Sequence, residues 1–167
     1  MDNWGPLYTL SLDLKVNSEE RSHGFANILA FKTNRAVEEN SDYEGRIEAI
    51  FWDNSRDKLR FISSIGRTHT FDSAVLSVGT WYSVEISQTE EGRRVGQSHK
   101  ILSKPTVFQV YHRIKLDGVL IDEQMNSDAR LLKNVHLFVG HKFSETANAS
   151  FRNFFWENIG ESFNKFL

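Results

Sequence analysis

The carboxylates and histidines of this chain do not form a catalytic motif. Glycan hydrolases on β-sandwiches place acidic residues at alternate positions of one strand, so that both face one groove. Here Glu85, Glu90 and Glu91 fall on a predicted strand and its turn, Asp117 and Asp122 fall on another, and the pattern E-x-D-x-x-E is missing. G-x-S-x-G, H-E-x-x-H, phosphate-binding glycine loops and dinucleotide fingerprints are also absent. We therefore predict that the chain is not an enzyme.

The six histidines are scattered along the chain, and there is no cysteine. His136 and His141 flank a short apolar run, but their spacing on a strand points them to opposite faces. A zinc site needs further convergent ligands, which the spacing does not supply. The lack of cysteine excludes disulfides, thiolate metal sites and a cysteine nucleophile.

Aromatic and basic side chains indicate ligand binding better than they indicate catalysis. Tyr43 lies in a polar loop, and Trp52 ends a predicted strand; such rings can stack on sugars. Core or rim packing of these aromatics is the alternative. The basic loop between residues 93 and 104 suits an acidic partner, or it is a charged hairpin tip that discourages edge pairing. Our candidate ligand-binding residues are Tyr43, Arg46, Trp52, Arg93, Arg94 and Lys100.

Composition predicts one folded domain without a nucleic-acid or membrane-inserting function. The chain has 167 residues, 40% of them hydrophobic, and a formal net charge of -2. This length suits a single core, and near neutrality provides no basic surface for nucleic acid. No apolar run is long enough to span a membrane, and the N-terminus lacks the apolar core of a signal peptide.

The periodicity is that of short β-strands. Leu10, Leu12, Leu14 and Val16 alternate with polar residues, and turn signals recur every 8 to 12 residues. Asp117-Gly118 is the strongest hairpin signal. Short helical turns are expected only in "DARLLKN" and in the tail "ESFNKFL". We predict an all-β, two-sheet antiparallel sandwich of the jelly-roll type.

The last strand, "ASFRNFFWEN", carries aromatic residues at successive positions. Strict alternation predicts Phe151, Asn153 and Phe155 on one face of this strand. The other face would carry Arg152, Phe154 and Trp156. We therefore interpret these aromatics as evidence for the fold rather than as a binding site.

Several segments, in this order and spacing, resemble laminin-G-like domains of the concanavalin-A-like superfamily, such as those in invertebrate extracellular proteins. The similar segments are "GTWYSVEISQ", "IKLDGVLID" and "KNVHLFVGHKFSETANASFRNFFWEN". The resemblance covers about residues 4 to 159 and concerns the framework. The chain departs from the family in lacking cysteine in "KLRFISSIG" and in the long insertion from Arg93 to Lys104.

The resemblance implies a recognition or adhesion module outside the cell, with calcium at the rim of the sandwich. The residues available for calcium are Asp42 and Glu44 in one acidic loop and Asp53 in a turn. Ordinary polar loops are the alternative reading of the same residues. If the protein is secreted, Asn148 in Asn-Ala-Ser is a glycosylation acceptor.

We accordingly predict one sandwich domain over residues 1–167, with its core at about 4–159 and a tail at 160–167. Its predicted function is non-catalytic recognition of a carbohydrate or protein through loops or the concave sheet face, with calcium as a possible cofactor. Two alternatives stay open: a glycan hydrolase or lyase on this scaffold, and a structural protein–protein interaction domain. The partner is thus a glycan or a protein, with a homo-oligomer or a larger multidomain chain as further options. The compartment is not determined; the resemblance favours an extracellular one, and a cytoplasmic one is compatible with the absent cysteine and signal peptide.

Overall fold

The computed structural model describes residues 3–17, 24–33, 46–65, 67–94, 106–140 and 146–159. Within these ranges two five-stranded antiparallel sheets pack face to face, as predicted. Sheet I has the strand order β12-β2-β7-β8-β9, sheet II has the order β11-β3-β4-β5-β6, and β1 pairs with β10 separately. The strands are β1 (Asn3–Trp4), β2 (Tyr8–Val16), β3 (Phe25–Thr33), β4 (Arg46–Asp53), β5 (Lys58–Ile65), β6 (Arg67–Asp72), β7 (Tyr82–Arg94), β8 (Thr106–Leu116), β9 (Val119–Met125), β10 (Leu132–Lys133), β11 (Val135–Val139) and β12 (Ala149–Asn158).

Strand β2 shows why the chain folds as a sandwich. Its residues alternate strictly between buried and half-buried, and Leu10, Leu12 and Leu14 are almost fully enclosed. Side chains two apart on a strand share a face, so the leucines line the space between the sheets. Val84 and Ile86 of the neighbouring β7 extend the same apolar surface. The alternation predicted for β2 is confirmed.

The turn at Asp117-Gly118 joins β8 and β9 in a two-residue hairpin, as predicted. Both residues have positive φ, 51° for Asp117 and 78° for Gly118, which is the requirement of a type I′ turn. The hairpin between β7 and β8 is long, with paired residues from Val84–Leu116 to Arg94–Thr106. Its basic tip at 95–105, predicted as an extended hairpin or loop, lies outside the described residues.

One local expectation differs from the structure. The segment 128–134 forms no helical turn; Leu132 and Lys133 instead pair with β1. This difference leaves the sandwich unchanged. The helical turn expected in the tail at 160–167 lies outside the described residues.

The face assignment of β12 was wrong for part of the strand. A register irregularity between Arg152 and Phe155 interrupts its pairing with β2, and Asn153 inside it has φ of 53°. An extra residue of this kind shifts the alternation. Phe151 is therefore opposite the inward Leu14, whereas Phe155 is opposite the outward Ser11.

Sheet II is buried on both faces at its centre. Besides the main core, a second buried cluster consists of Ala30, Ala49 and Phe51, with Ile62 packed against it. The β4–β5 register pairs Ala49 with Ile62, whereas Ile50, which belongs to the main core, is one position along. The second cluster therefore lies on the outer face of sheet II, which is closed there.

In the described ranges, no helix has the length and apolar character needed to cross a membrane.

Candidate functional site

A row of polar side chains crosses the interior between the two sheets. Directly opposed residues on neighbouring strands lie on the same face of a sheet, so the pairing register shows which polar residues lie side by side. The members of this polar row are Tyr8, Gln88, His112 and Gln124 of sheet I and Glu48, Ser63 and His69 of sheet II.

Glu48 is the centre of the polar row. Its Oε1 accepts a hydrogen bond from the Tyr8 hydroxyl and lies 3.0 Å from Nε2 of His112, and its Oε2 accepts from Ser63 Oγ at 2.6 Å. All four residues are at most 2% exposed. A carboxylate taken out of water needs such donors, because an unpaired buried charge is costly. Tyr8, Ser63 and His112 thus contact both oxygens of the Glu48 carboxylate, and two of these contacts cross between the sheets.

The same contacts raise the pKa of Tyr8 well above its ordinary value. Burial of the phenol is the largest cause, because it disfavours the charged phenolate. The negative charge of Glu48 and the hydrogen bond to it add to the effect. Tyr8 therefore acts as a permanent donor to Glu48.

Ser63, His112 and Glu48 are residue types of a hydrolytic triad, but their geometry is not that of a triad. In a triad the acid binds Nδ1 of the histidine, and Nε2 faces the serine. Here Glu48 and Ser63 both lie at Nε2, and the buried Nδ1 has no hydrogen-bond partner among the residues that the structure describes. The group is also closed to any polymeric substrate by its burial. We assign it a structural role.

The polar row reaches the surface at the edge formed by β6 and β9. Nε2 of His69 lies 2.7 Å from Oδ2 of Asp122, and the His69 side chain is 25% exposed. His69 belongs to sheet II and Asp122 to sheet I, so this contact joins the two edge strands. Gln124 adds a long hydrogen bond of 3.5 Å to Asp122.

An aromatic cluster covers the opposite end of the polar row. The ring of Trp4 lies 4.7 Å from that of Tyr8, 4.6 Å from Phe31 and 5.5 Å from Trp156, measured between centroids. Trp4 is 1% exposed. These tilted contacts are favourable ring geometries, and the Tyr8 end of the polar row is buried beside them.

The outer face of sheet I, which points away from the core, carries ion pairs between neighbouring strands. Arg113 on β8 binds Glu91 at 2.6 Å and Glu123 at 2.5 Å. Lys115, two residues along, binds Glu85 at 2.9 Å. Hydrogen bonds to both carboxylates raise the pKa of Arg113. The cations of β8 are thus already matched to acids on β7 and β9.

The same face has a second group of contacts near β12. Arg152 binds Asp13 at 3.2 Å, and Asn153 donates to the same oxygen at 2.7 Å. The guanidinium of Arg152 and the ammonium of Lys15 lie 4.2 and 5.0 Å from the ring centre of Trp81. Both are within the range of a cation–π interaction.

Apolar groups also lie on this face. Tyr111 is opposite Met125 on β9, and the guanidinium of Arg113 lies 5.3 Å from the tyrosine ring. Met125 is 54% exposed, and Phe155 on β12 is 51% exposed. Tyr111, Met125 and Phe155 thus give the outer face of sheet I exposed apolar surface beside polar groups.

The candidate ligand-binding residues do not form one described site. Trp52 lies in the main core at 3% exposure, which agrees with the core-packing alternative. Arg46 starts β4 in sheet II, whereas Arg93 and Arg94 end β7 in sheet I. Tyr43 and Lys100 lie outside the described residues.

Of the calcium candidates, Asp42 and Glu44 lie outside the described residues. Asp53 is buried, and its Oδ1 accepts hydrogen bonds from the backbone and hydroxyl of Ser55 at 2.9 and 2.6 Å, which caps the turn between β4 and β5. No group of three or more histidine, aspartate or glutamate residues suited to a metal occurs among the residues described. Asn148 is exposed, as its proposed modification requires.

No family model and no curated protein matches this chain. Solved structures do: alginate lyase AlyC3, in complex with dimannuronate, has a TM-score of 0.56 at 13% identity, covering 94% of this chain and 66% of that one. Alginate lyase A1-II′ has a TM-score of 0.53 at 11% identity, covering 93% and 64%. A carbohydrate-binding module, CBM66 from Bacillus subtilis, has a TM-score of 0.49 at 16% identity, covering 93% and 76%.

These likenesses bear on the fold. The chain is an all-β, two-sheet antiparallel sandwich of the jelly-roll type, and the concanavalin-A-like relationship stays a prediction. It spans less than two thirds of A1-II′ and about two thirds of AlyC3. The narrower laminin-G-like assignment stays a prediction, because no family model matches.

Proposed function

We propose that this protein is a non-catalytic recognition module that binds a glycan on the outer face of sheet I. The observation that carries the proposal is the combination on this face of exposed apolar groups with closely spaced donors and acceptors. Sugar-binding surfaces use a ring or apolar group against the sugar plane and polar side chains against its hydroxyls. Tyr111 and Met125 provide the apolar groups, and Arg113 with Glu91 and Glu123 provides the polar side chains.

The choice of face follows from the burial of the other one. The outer face of sheet II is buried at its centre, at Ala30, Ala49 and Phe51, whereas the outer face of sheet I carries half-exposed polar side chains along β2, β7 and β8. A polymer laid across a sheet needs such an open face. A glycan ligand also agrees with the dimannuronate named in the complex of AlyC3, a structure of similar fold.

The main rival is a glycan lyase, since two of the similar folds are alginate lyases. Among the described residues, the polar row brings hydroxyl, imidazole and carboxylate groups within hydrogen-bonding distance of one another, as a lyase site would require. Its centre is buried and therefore closed to a polymer. A lyase reaction forms an unsaturated sugar, so it raises ultraviolet absorbance. We expect no such increase with alginate or polygalacturonate. A sustained increase that scales with protein concentration would replace the binding proposal by the lyase.

A binding screen with matched aromatic variants tests the proposal. We expect wild-type protein to bind at least one glycan on an array, and Tyr111→Ala to weaken that binding about tenfold, the loss of about 1.4 kcal/mol. Phe25→Ala removes a ring of 38% exposure from sheet II and should leave binding unchanged. Equal losses in both variants, or no binding to any glycan, would contradict the proposal.

Calcium assistance is a separate part of the proposal. Asp42, Glu44 and Asp53 are its candidate ligands, and repeating the screen with calcium and with a chelator tests them. Binding lost in the chelator and restored by calcium would support a calcium-assisted module, and Asp42→Asn with Glu44→Gln should then reproduce the loss. Binding that is equal in both conditions would show that the face acts without the metal.

A further inference from the structure

We infer that the glycan bound by this protein is uncharged, in contrast to the polyuronate substrate named for the lyases of similar fold. This inference rests on the proposed function and narrows it to a class of ligand. It derives from the electrostatics of the outer face of sheet I.

The cations on this face whose side chains are described already have partners. Arg113 binds two carboxylates, Lys115 binds one, and Arg152 binds one, at 2.5 to 3.2 Å. Lys15 lies over the ring of Trp81. Against these four cations stand five carboxylates, those of Asp13, Glu85, Glu91, Glu123 and Glu157. The described face therefore has no excess of positive charge.

A uronate polymer would gain little on such a surface. The charge of Arg113 is already balanced by Glu91 and Glu123, so a uronate carboxylate that accepts from one of its remaining N–H groups gains little net attraction. The two glutamates beside it would repel the polymer. An acidic ligand thus meets repulsion at Arg113, Lys115 and Arg152, each of which is paired with a carboxylate.

A neutral sugar meets no such cost. Its hydroxyls can donate to a glutamate and accept from an arginine or lysine without breaking the pair between them. The strand register repeats this arrangement: the Arg113 pairs and the Lys115–Glu85 pair lie two residues apart along β8, on the same face. An extended neutral chain can therefore bind successive pairs through its hydroxyls.

Affinity electrophoresis with defined polymers tests the inference. The neutral probes are mixed-linkage β-glucan, galactomannan and dextran, and the acidic probes are alginate and polygalacturonate. We expect retardation by a neutral polymer and none by the acidic ones. The dissociation constant for the neutral polymer should change less than about twofold between about 0.01 and 0.15 M salt, across which the Debye length falls from about 30 to 8 Å.

A variant that frees Arg113 from its ion pairs provides a more specific test. The double substitution Glu91→Gln with Glu123→Gln frees Arg113 while keeping the size of both side chains. We expect this variant to gain alginate binding at low salt and to lose it as salt rises. The matched control, Asp72→Asn, removes an acid from an ion pair on sheet II and should gain none. A folded double variant without alginate binding would overturn the role given to the ion pairs.

The outcomes separate this inference from the proposed function. Binding to alginate alone, or to both classes equally, would overturn the inference and leave glycan recognition standing. If alginate binding disappears in the triple variant Arg93→Ala, Arg94→Ala, Lys100→Ala, the acidic ligand is bound by the basic residues predicted from sequence instead. Binding to none of the five polymers and to no array glycan would contradict the proposed function itself.

Discussion

Nε2 of His112 on β8 lies 3.0 Å from Oε1 of Glu48 on β4, so the two sheets are joined by a polar contact in the middle of the core. A sandwich is usually held by apolar burial alone, at about 25 cal/mol per Å². Here the carboxylate accepts from two hydroxyls besides its contact with the imidazole. Polar groups of this kind do not add much stability when satisfied, but each becomes costly when its partner is removed.

Removal of the Tyr8 hydroxyl should show this cost. Tyr8→Phe leaves the buried Glu48 carboxylate with one donor fewer, and we expect the free energy of unfolding to fall by about 1–3 kcal/mol. Urea denaturation at neutral pH measures it. The control is Tyr111→Phe, which removes a half-exposed hydroxyl bound to Gln109 and should cost less than about 0.5 kcal/mol. Equal effects in the two variants would contradict a buried Tyr8–Glu48 bond.

The raised pKa of Tyr8 predicts a specific loss of stability in alkali. In the unfolded chain the phenol titrates near pH 10, whereas the folded protein keeps the proton to higher pH. The unfolded state therefore releases a proton first, and stability falls as pH rises above about 10, by up to about 1.4 kcal/mol per pH unit.

The Tyr8→Phe variant isolates this contribution, because other groups titrate alike in both proteins. The difference in unfolding free energy between wild type and variant should be constant up to about pH 9.5 and should shrink above about pH 10. A difference that stays constant through pH 11 would show that the phenol titrates normally in the folded protein.

The ion pair between Arg60 and Asp72 predicts an effect at the acid end. Nε and Nη2 of Arg60 bind the two carboxylate oxygens at 2.6 and 2.7 Å, and the hydrogen bonding lowers the pKa of Asp72. Its contribution is complete above the ordinary carboxyl pKa of about 3.9 and is lost as pH falls through the lowered value.

Titration of the Asp72 carboxyl by carbon-detected NMR measures this shift directly. In Arg60→Leu the pKa should return toward its ordinary range, with a stability loss of about 1 kcal/mol or less, because both side chains are about a quarter exposed. Arg56→Leu is the control, since Arg56 acts on Asp72 only through a smaller Coulombic effect. A larger rise of the pKa in Arg56→Leu than in Arg60→Leu would refute the assignment.

Gly118 and Gly140 form a matched pair of turn positions. Both have positive φ, 78° and 65°, which costs an alanine about 1 kcal/mol. An added Cβ has open space at Gly118 but would meet Cγ2 of Thr146 at 2.6 Å at Gly140. We expect Gly118→Ala to lose about 1 kcal/mol and Gly140→Ala clearly more, because the Thr146 side chain must also move. Thermal unfolding ranks the two, and the reverse order would contradict the contact.

The sequence was sufficient to predict the sandwich, and its local signals explain why. The apolar alternation of β2 and the Asp-Gly turn after β8 are short-range patterns, and both were confirmed. The faces of β12 could not be predicted beyond Arg152, because the bulge at Asn153 depends on how this strand pairs with β2.

The polar row was not predicted, for a related reason. Strand pairing within sheet II brings Glu48 and Ser63 together, and only the packing of the two sheets brings in His112, which is 64 residues from Glu48. Tyr8 alone could have been placed inside, since it shares its face with Leu10 and Leu12. A stronger signal was Glu48 itself, a single acid among Ile47, Ala49, Ile50, Phe51 and Trp52.

The polar row also fixes how the two sheets are aligned. Apolar side chains pack acceptably at several offsets, whereas Tyr8 and His112 of sheet I meet the Glu48 carboxylate of sheet II at one offset only. If one sheet were displaced by one residue along its strands, the Glu48 carboxylate would face leucine side chains without its donors. Contacts in the core therefore fix the relative position of the two sheets, and the loops that join the strands are not needed for this. This leaves the rims of the sandwich free to change length and sequence as a ligand requires.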